Sequence, residues 1–272
     1  MIDRVTALLR EVAAKAVMPR WRQLQPHEIA EKEKGDLVTA ADREAEDLLT
    51  VALRDIKPGS AVIGEEAAAA NPAILSDFGA LPSLWLVDPV DGTSNFIRGS
   101  DRFALMVAYL ERGVVRASWI YLPTQDKFAV AEAGSGAWIN GRRVKAPEPP
   151  AEIAAMTGAA HVNRLPEPLR AQVKSHLKRF HDNQPAFCAG YDYVALLEGS
   201  RHFSLYNRTL PWDHAPGTFL LAEAGGKSAR FDGSAFIPDE LDEYGKGRGL
   251  LSAPTRESWQ RIRDALFTDA AG

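Results

Sequence analysis

The run Trp85-Leu86-Val87-Asp88-Pro89-Val90-Asp91-Gly92-Thr93-Ser94-Asn95-Phe96 joins an apolar segment to two carboxylates and a Gly-Thr-Ser turn. Residues 84–87 show no polar alternation, which predicts a short strand buried on both faces with Asp88 at its end. Pro89 cannot extend a ladder and biases its predecessor toward an extended backbone. The chain is therefore expected to turn there and present Asp88 and Asp91 on one side. Two such carboxylates are hard oxygen ligands of the kind that hold magnesium together with water and phosphate oxygens. Gly92 permits close backbone approach, and the amides of Gly92, Thr93 and Ser94 could form a concave donor site for an anion. An ordinary Asp-Gly hairpin turn would also account for this stretch taken alone.

Two distant segments supply further acids. The apolar run Ala61-Val62-Ile63 ends in Gly64-Glu65-Glu66, which repeats the placement of an acid directly after a buried strand. Glu65 is the better ligand candidate, and its alternative is a surface acid pair opening the helix-favouring alanines at 67–70. Pro211-Trp212-Asp213 precedes a helical stretch at 215–224 closed by Gly225-Gly226, so Asp213 lies near a helix N-terminus. Capping alone would explain an aspartate there. Thr39 and Asp42 have the spacing of a capping box, with Asp in place of the usual Glu or Gln.

Taken together, Ile63-Gly64-Glu65-Glu66, Asp88 through Phe96, and Trp212-Asp213 followed by Glu223-Ala224-Gly225-Gly226 resemble the inositol monophosphatase family. Asp36-Leu37-Val38-Thr39-Ala40-Ala41-Asp42 and Gly134-Ser135-Gly136-Ala137 through Asn140-Gly141 are similar to further signatures of that family, so the likeness spans nearly the whole chain. The resemblance implies magnesium bound by Glu65, Asp88, the Val90 carbonyl, Asp91 and Asp213. Manganese is an alternative metal and lithium an inhibitor. It also implies hydrolysis of a phosphate monoester by a metal-activated water, with Asp42, Glu65 and Thr93 as catalytic residues. Asp91, Gly92, Thr93, Ser94, Ala189, Tyr206, Arg208 and Asp213 are the candidate substrate-side positions. Clustered magnesium ions lower the pKa of bound water and neutralise phosphoryl oxygens, so the chemistry of the residues agrees.

The likeness breaks down at substrate recognition. Seven residues before the Trp-Asp aspartate, inositol-hydrolysing members carry a glutamate that bonds the hydroxyls, and this chain has Tyr206. Phe187-Cys188-Ala189-Gly190-Tyr191-Asp192 stands where the family has a small Gly-Ser/Thr-Ala segment. Arg208 could bind a second phosphate or a carboxylate, or be an ordinary solvated arginine. Inositol monophosphate is thus the substrate implied by resemblance, with histidinol phosphate, a nucleotide 3′-phosphate or fructose 1,6-bisphosphate as alternatives. A metal-binding regulatory protein without turnover is a second alternative.

The elements that must carry these residues can be read along the 272 residues. Ile2, Val5, Leu8, Leu9, Val12 and Ala16 recur at helical spacing, and a second helix is predicted over 40–56. Residues 103–110, 114–121 and 127–132 read as strands joined by turns. Pro147-Glu148-Pro149-Pro150 divides the chain into an N-terminal half, 1–146, carrying most of the acids, and a C-terminal half, 147–272, carrying Asp213. In the second half, helices over 169–180, 191–197 and 215–224 alternate with strands at 228–231 and 250–253, and Thr255 caps a last helix. The expected class is α/β (α+β). It comprises an antiparallel sheet with two helices in the first half and a helix-flanked mixed sheet in the second, which the family's fold joins as a layered αβαβα sandwich.

With 46% hydrophobic and 25% charged residues, the composition is that of an ordinary globular protein rather than a fibrous or disordered one. A net charge of −4 lacks a nucleic-acid footprint and would repel a phosphate unless bound cations inverted the local field. No apolar stretch approaches a membrane span, and the N-terminus lacks a signal-peptide core. The single cysteine, Cys188, suits a reducing cytoplasm. His214, beside Asp213, reads as helix-start packing rather than a ligand. A homodimer and a small phosphorylated metabolite are the partners implied by resemblance, with no nucleic acid or membrane partner.

Overall fold

A computed structural model describes residues 1–33, 35–76, 78–240 and 248–268. The amphipathic start forms α1 (Ile2–Val12), which runs on through a π-helical turn, Ala13–Val17. A two-stranded antiparallel hairpin follows, β1 (Ile29–Glu33) and β2 (Asp36–Thr39). It leads directly into α2 (Ala40–Ile56). Next come β3 (Ala61–Gly64), α3 (Glu65–Ala70), β4 (Leu84–Asp91) and the short α4 (Thr93–Ile97). Strands β5 (Ala104–Glu111), β6 (Val114–Leu122), β7 (Lys127–Glu132), β8 (Gly136–Ile139) and β9 (Arg142–Val144) meander beside β4.

The seven-stranded sheet has the order β3-β4-β5-β6-β7-β8-β9 and is antiparallel except for β3 and β4. That parallel pair departs from the all-antiparallel expectation. The cause is the connection from 65 to 83, which includes α3 and returns the chain to the start of β4 in the same sense, as a parallel pairing requires.

The second half begins after a strand-free stretch, with β10 (Thr157–Ala160), α5 (Leu169–His176) and β11 (Asp182–Asn183). It continues with α6 (Ala189–Glu198), β12 (Phe203–Tyr206), α7 (Pro211–Glu223), β13 (Lys227–Ala229), β14 (Leu250–Ala253) and α8 (Arg256–Phe267). Its five strands form a mixed sheet ordered β11-β10-β12-β14-β13.

Five layers result, and each is cemented by side chains whose spacing predicts it. Val5 and Leu9 of α1 and Leu49 and Leu53 of α2 pack on Trp85, Val87 and Trp119 of the large sheet. Met106, Ile120 and Ala129 on the other face meet Tyr193, Leu196, Leu220 and Leu221 of α6 and α7. The small sheet closes on Trp259 and Ile262 of α8 through Phe203, Leu205 and Leu251. Helices α6 and α7 therefore form a layer shared by both sheets, with α7 touching β4, β5 and β6 on one side and β13 on the other. Among the described residues no helix is long and apolar enough to cross a membrane.

Candidate active site

Strand alternation decides where the acids of β4 point. Leu84 and Leu86 face Trp212 and Ala215 of α7, whereas Trp85 and Val87 face α1 and α2. Asp88 continues the even series and is directed at α7. Asp91, three residues on, would belong to the opposite face of a regular strand. The structure differs from the expected turn at Pro89: the strand runs on to Asp91, and a bulge sets Asp88 opposite Met106 but Asp91 opposite Ala104. The extra residue shifts the alternation by one, so both acids line the same cavity of about 540 Å³. Gly92 then adopts φ 86°, a left-handed conformation that ends the strand and starts α4, so the Asp-Gly pair forms no hairpin.

Glu65 opens α3 and Asp213 lies in the first turn of α7. One carboxylate oxygen from each of Glu65, Asp88 and Asp213 lies within 4.8 Å of the others. Asp88 Oδ1 is buried and has no hydrogen-bond partner among the described residues. An orphaned buried carboxylate oxygen is costly unless a cation neutralises it, and an all-oxygen donor set suits a hard divalent ion. Burial first, and then repulsion from Glu65, hold Asp88 and Asp213 well above the ordinary carboxylate range. Lys32 of the hairpin supplies a protein cation at the rim, with Nζ 2.7 Å from Glu65 and 3.0 Å from Glu66.

Asp91 stands beside this trio and is held by another element. Its Oδ2 accepts from Gly190 N at 2.6 Å and from Cys188 Sγ at 3.0 Å, at the N-terminus of α6. A side chain at Gly190 would place Cβ 2.8 Å from that of Ala104 and 2.9 Å from Ile120 Cγ2. Glycine is what lets the helix end approach β5 and β6 closely enough to reach Asp91. Cys188 is buried there, and the Asp91 carboxylate adds to burial in raising its thiol pKa.

Thr39 and Asp42 form the predicted capping box: Asp42 Oδ2 accepts from Thr39 N at 2.9 Å and from its hydroxyl at 2.5 Å, while Ala41 N donates to Thr39 Oγ1. The remaining oxygen, Oδ1, lies 3.1 Å from the Thr93 hydroxyl, which is also 3.0 Å from the Val90 carbonyl. One aspartate thus both caps α2 and holds Thr93. Burial raises its pKa to about 6 against the hydrogen bonds that favour the ionised form. Gly92 and Ser94 line the cavity beside it.

Ala189, Tyr206 and Arg208 also line the cavity. Tyr206 does not present its hydroxyl to the opening; it donates to Asp192 Oδ2 at 2.7 Å, inside the wall. His214 packs beneath: Tyr193 donates to Nδ1 at 3.1 Å, and Nε2 donates to the Arg208 carbonyl at 3.2 Å. Burial lowers its pKa to about 3, so it is a neutral brace for the Arg208 backbone, as its sequence context suggests.

Sequence reasoning missed Lys32, Glu46, His161, Arg164 and Asp192. Glu46 had a signal, since it lies one turn after Asp42 on the same helix. It is buried and accepts from Glu66 N and Ala67 N, capping α3 from outside and fixing the strand-to-helix bend at Glu65. Lys32 sits in an alternating charge run that reads as solvated, and the other three become neighbours only through β10, β12 and α6.

The match to a family model covers residues 1–267 and is described as the inositol monophosphatase family. A Thermotoga maritima fructose-1,6-bisphosphatase/inositol-1-monophosphatase is 30% identical over 236 residues, 85% of each chain. An inositol-1-monophosphatase of Rhizobium meliloti is 29% identical over 253 residues, 92% of each chain, and a Pseudomonas aeruginosa Nus factor SuhB is 30% identical over 82% of each. The solved structure of a Thermotoga maritima IMPase superposes with a TM-score of 0.78 at 25% identity, over 97% of both chains. The chain belongs to the inositol monophosphatase family and is a phosphoric monoester hydrolase.

Proposed function

We propose that this protein is a magnesium-dependent phosphatase that hydrolyses a small phosphate monoester by in-line attack of water. The observation that carries the reading is the convergence of Glu65, Asp88 and Asp213 around a buried carboxylate oxygen that has no partner among the described residues. Glu65, Asp88, Asp213, Asp91 and the Val90 carbonyl would hold the metal. When bound, magnesium would supply charge neutralisation at the phosphoryl oxygens and acidify the attacking water.

The chain's own groups supply direction. Thr93 Oγ, held against Val90 and Asp42, can accept a proton from the water as its own passes to Asp42 Oδ1. The water oxygen then forms the new P–O bond while the ester oxygen leaves with the bonding pair and takes a proton from solvent. A carboxylate near pKa 6 is a competent acceptor around neutrality. Gly92, Thr93 and Ser94 would border the phosphate where α4 begins.

Phosphate release from a generic monoester such as p-nitrophenyl phosphate, measured in EDTA and in 5 mM MgCl₂, tests this. Release only with the metal, and its loss by at least about 10³-fold in Asp213→Asn, is expected. Metal-independent release or full activity in that variant would sink the reading.

A further inference from the structure

Asp91 belongs to the first half of the chain but takes its donors from a turn of the second, and a side chain of the first half holds that turn. Asn95 lies in α4, two residues after Thr93, and is buried. Its Nδ2 donates to the carbonyls of Arg102 and Ala186, each at 2.8 Å, and stands 3.3 Å from the carbonyl of Phe187. Its Oδ1 accepts from Arg98 Nη2 at 2.8 Å, which fixes the orientation of the amide. From the other side Asp192 Oδ1 accepts from Ala186 N at 3.0 Å, while Oδ2 takes the Tyr206 hydroxyl and His161 Nε2, each at 2.7 Å.

The residue clamped in this way does not rest there unaided. Phe187 has φ 56°, in the left-handed region that a bulky side chain occupies only at a cost. Its ring is 58% exposed, so burial of the ring does not offset that cost, and the hydrogen bonds around it must hold the backbone. The left-handed turn leads into Cys188, the N-cap of α6, and on to Gly190, the two residues whose Sγ and N reach Asp91 Oδ2. The turn is pressed against the start of α4: a Cβ on Gly92 would lie 3.1 Å from Cys188 Cβ and 3.4 Å from the Phe187 carbonyl. With α4 blocking that side, relaxation of Phe187 carries the end of α6 away from Asp91.

We propose that Asn95 is a positioning residue for phosphate-ester hydrolysis: it clamps Phe187 in the left-handed turn and so fixes the α6 donors that orient Asp91 as a metal ligand. The proposal rests on the magnesium reading of the site. Donation rather than shape is what the position demands, because carbonyl oxygens face Nδ2 and a carboxylate oxygen in its place would be set against them.

Cys188 is the chain's single cysteine and is buried, so its alkylation by N-ethylmaleimide in EDTA reports withdrawal of the turn without any activity measurement. Asn95→Ala and the isosteric Asn95→Asp should each raise the labelling rate by about tenfold or more. Each should also raise the magnesium concentration for half-maximal release of phosphate from p-nitrophenyl phosphate by about tenfold, with KM at saturating metal little changed. Glycine occupies the left-handed region freely, so adding Phe187→Gly to Asn95→Ala should recover most of the loss in both readouts, and more than it changes them in the wild-type background.

Ile262→Ala, in the separate core beneath α8, supplies the comparison for a general loss of stability: it should melt lower than wild type yet label far more slowly than either asparagine variant. Labelling of Asn95→Ala at the wild-type rate, wild-type behaviour of Asn95→Asp, absence of recovery in the double variant, or equally fast labelling of Ile262→Ala overturns the proposal. Faster labelling of the asparagine variants, in a protein whose wild type releases phosphate equally well without magnesium, upholds the clamp on the turn and overturns the metal reading.

Discussion

Asp88→Asn should make the metal-free protein more stable while destroying its response to magnesium. Carboxylate oxygens within 4.8 Å of one another repel by roughly 3.5 kcal/mol per ionised pair at an effective dielectric of about 20. Two such pairs involve Asp88, but Lys32 offsets the charge of Glu65, and protonation of Asp88 itself caps the cost. A net gain of about 2 kcal/mol remains for the amide, which a chain of this size converts into a rise of roughly 4–8 °C in melting temperature.

The pH dependence has a definite sign. Burial raises the folded-state pKa of Asp88 above its unfolded value, so the folded state binds the proton more tightly. Wild-type stability is therefore lost as pH rises from about 4 through the folded pKa, and the advantage of Asn vanishes below about pH 4 and is larger at pH 8 than at pH 5. Wild type in magnesium at ten times its dissociation constant should recover about 1.4 kcal/mol that the variant does not. Scanning fluorimetry in EDTA and in MgCl₂ at pH 5 and 8 reads all four numbers. A variant that melts at or below wild type in EDTA at pH 8, or that keeps the full magnesium shift, would refute the placement of Asp88 as a buried ligand short of a cation.

Asp42→Asn should lower kcat by about 10²–10⁴ with little change in KM, since it removes the acceptor behind Thr93; an equal loss in both parameters would point to a folding role through the helix cap alone. Lys32→Met frees Glu65 from its competing cation and should lower the magnesium concentration for half activity about three- to tenfold, measured by metal titration. An unchanged midpoint there would mean that Lys32 and the metal do not share Glu65. Gly190→Ala crowds Ala104 and Ile120 and should cost about 1–3 kcal/mol in chemical denaturation, with a raised magnesium requirement because α6 retreats from Asp91.

Much of the fold was legible because its core follows simple periods. The helix at 40–56, the strand at 127–132 and the cap at Thr255 stand where alternation, helical spacing and side-chain capping put them. The acids were legible because each follows a buried strand or opens a helix, positions that local chemistry marks. The bulge between Asp88 and Asp91 was not, because proline predicts a break but not whether the ladder resumes beyond it. Nor was the contact of His161 and Tyr206 with Asp192, since these residues are brought together only by strand pairing and a helix that crosses between the sheets. Ion pairs such as that of Lys32 with Glu65 span 33 positions and leave no periodic trace.

The alternation along β4 also sets what change the gene can bear. Because Trp85 and Val87 are wedged under two helices while Leu86 and Asp88 look the other way, inserting or deleting one codon anywhere before Asp88 in that strand would swap the faces. The carboxylate would be driven among tryptophans and the apolar residues into the cavity, so one length change would erase both the core and the chemistry. Loops at 133–135 and 140–141, on the far edge of the same sheet, carry no such constraint. Surviving length variation among descendants of this chain should therefore gather at that edge, and β4 should vary by substitution alone.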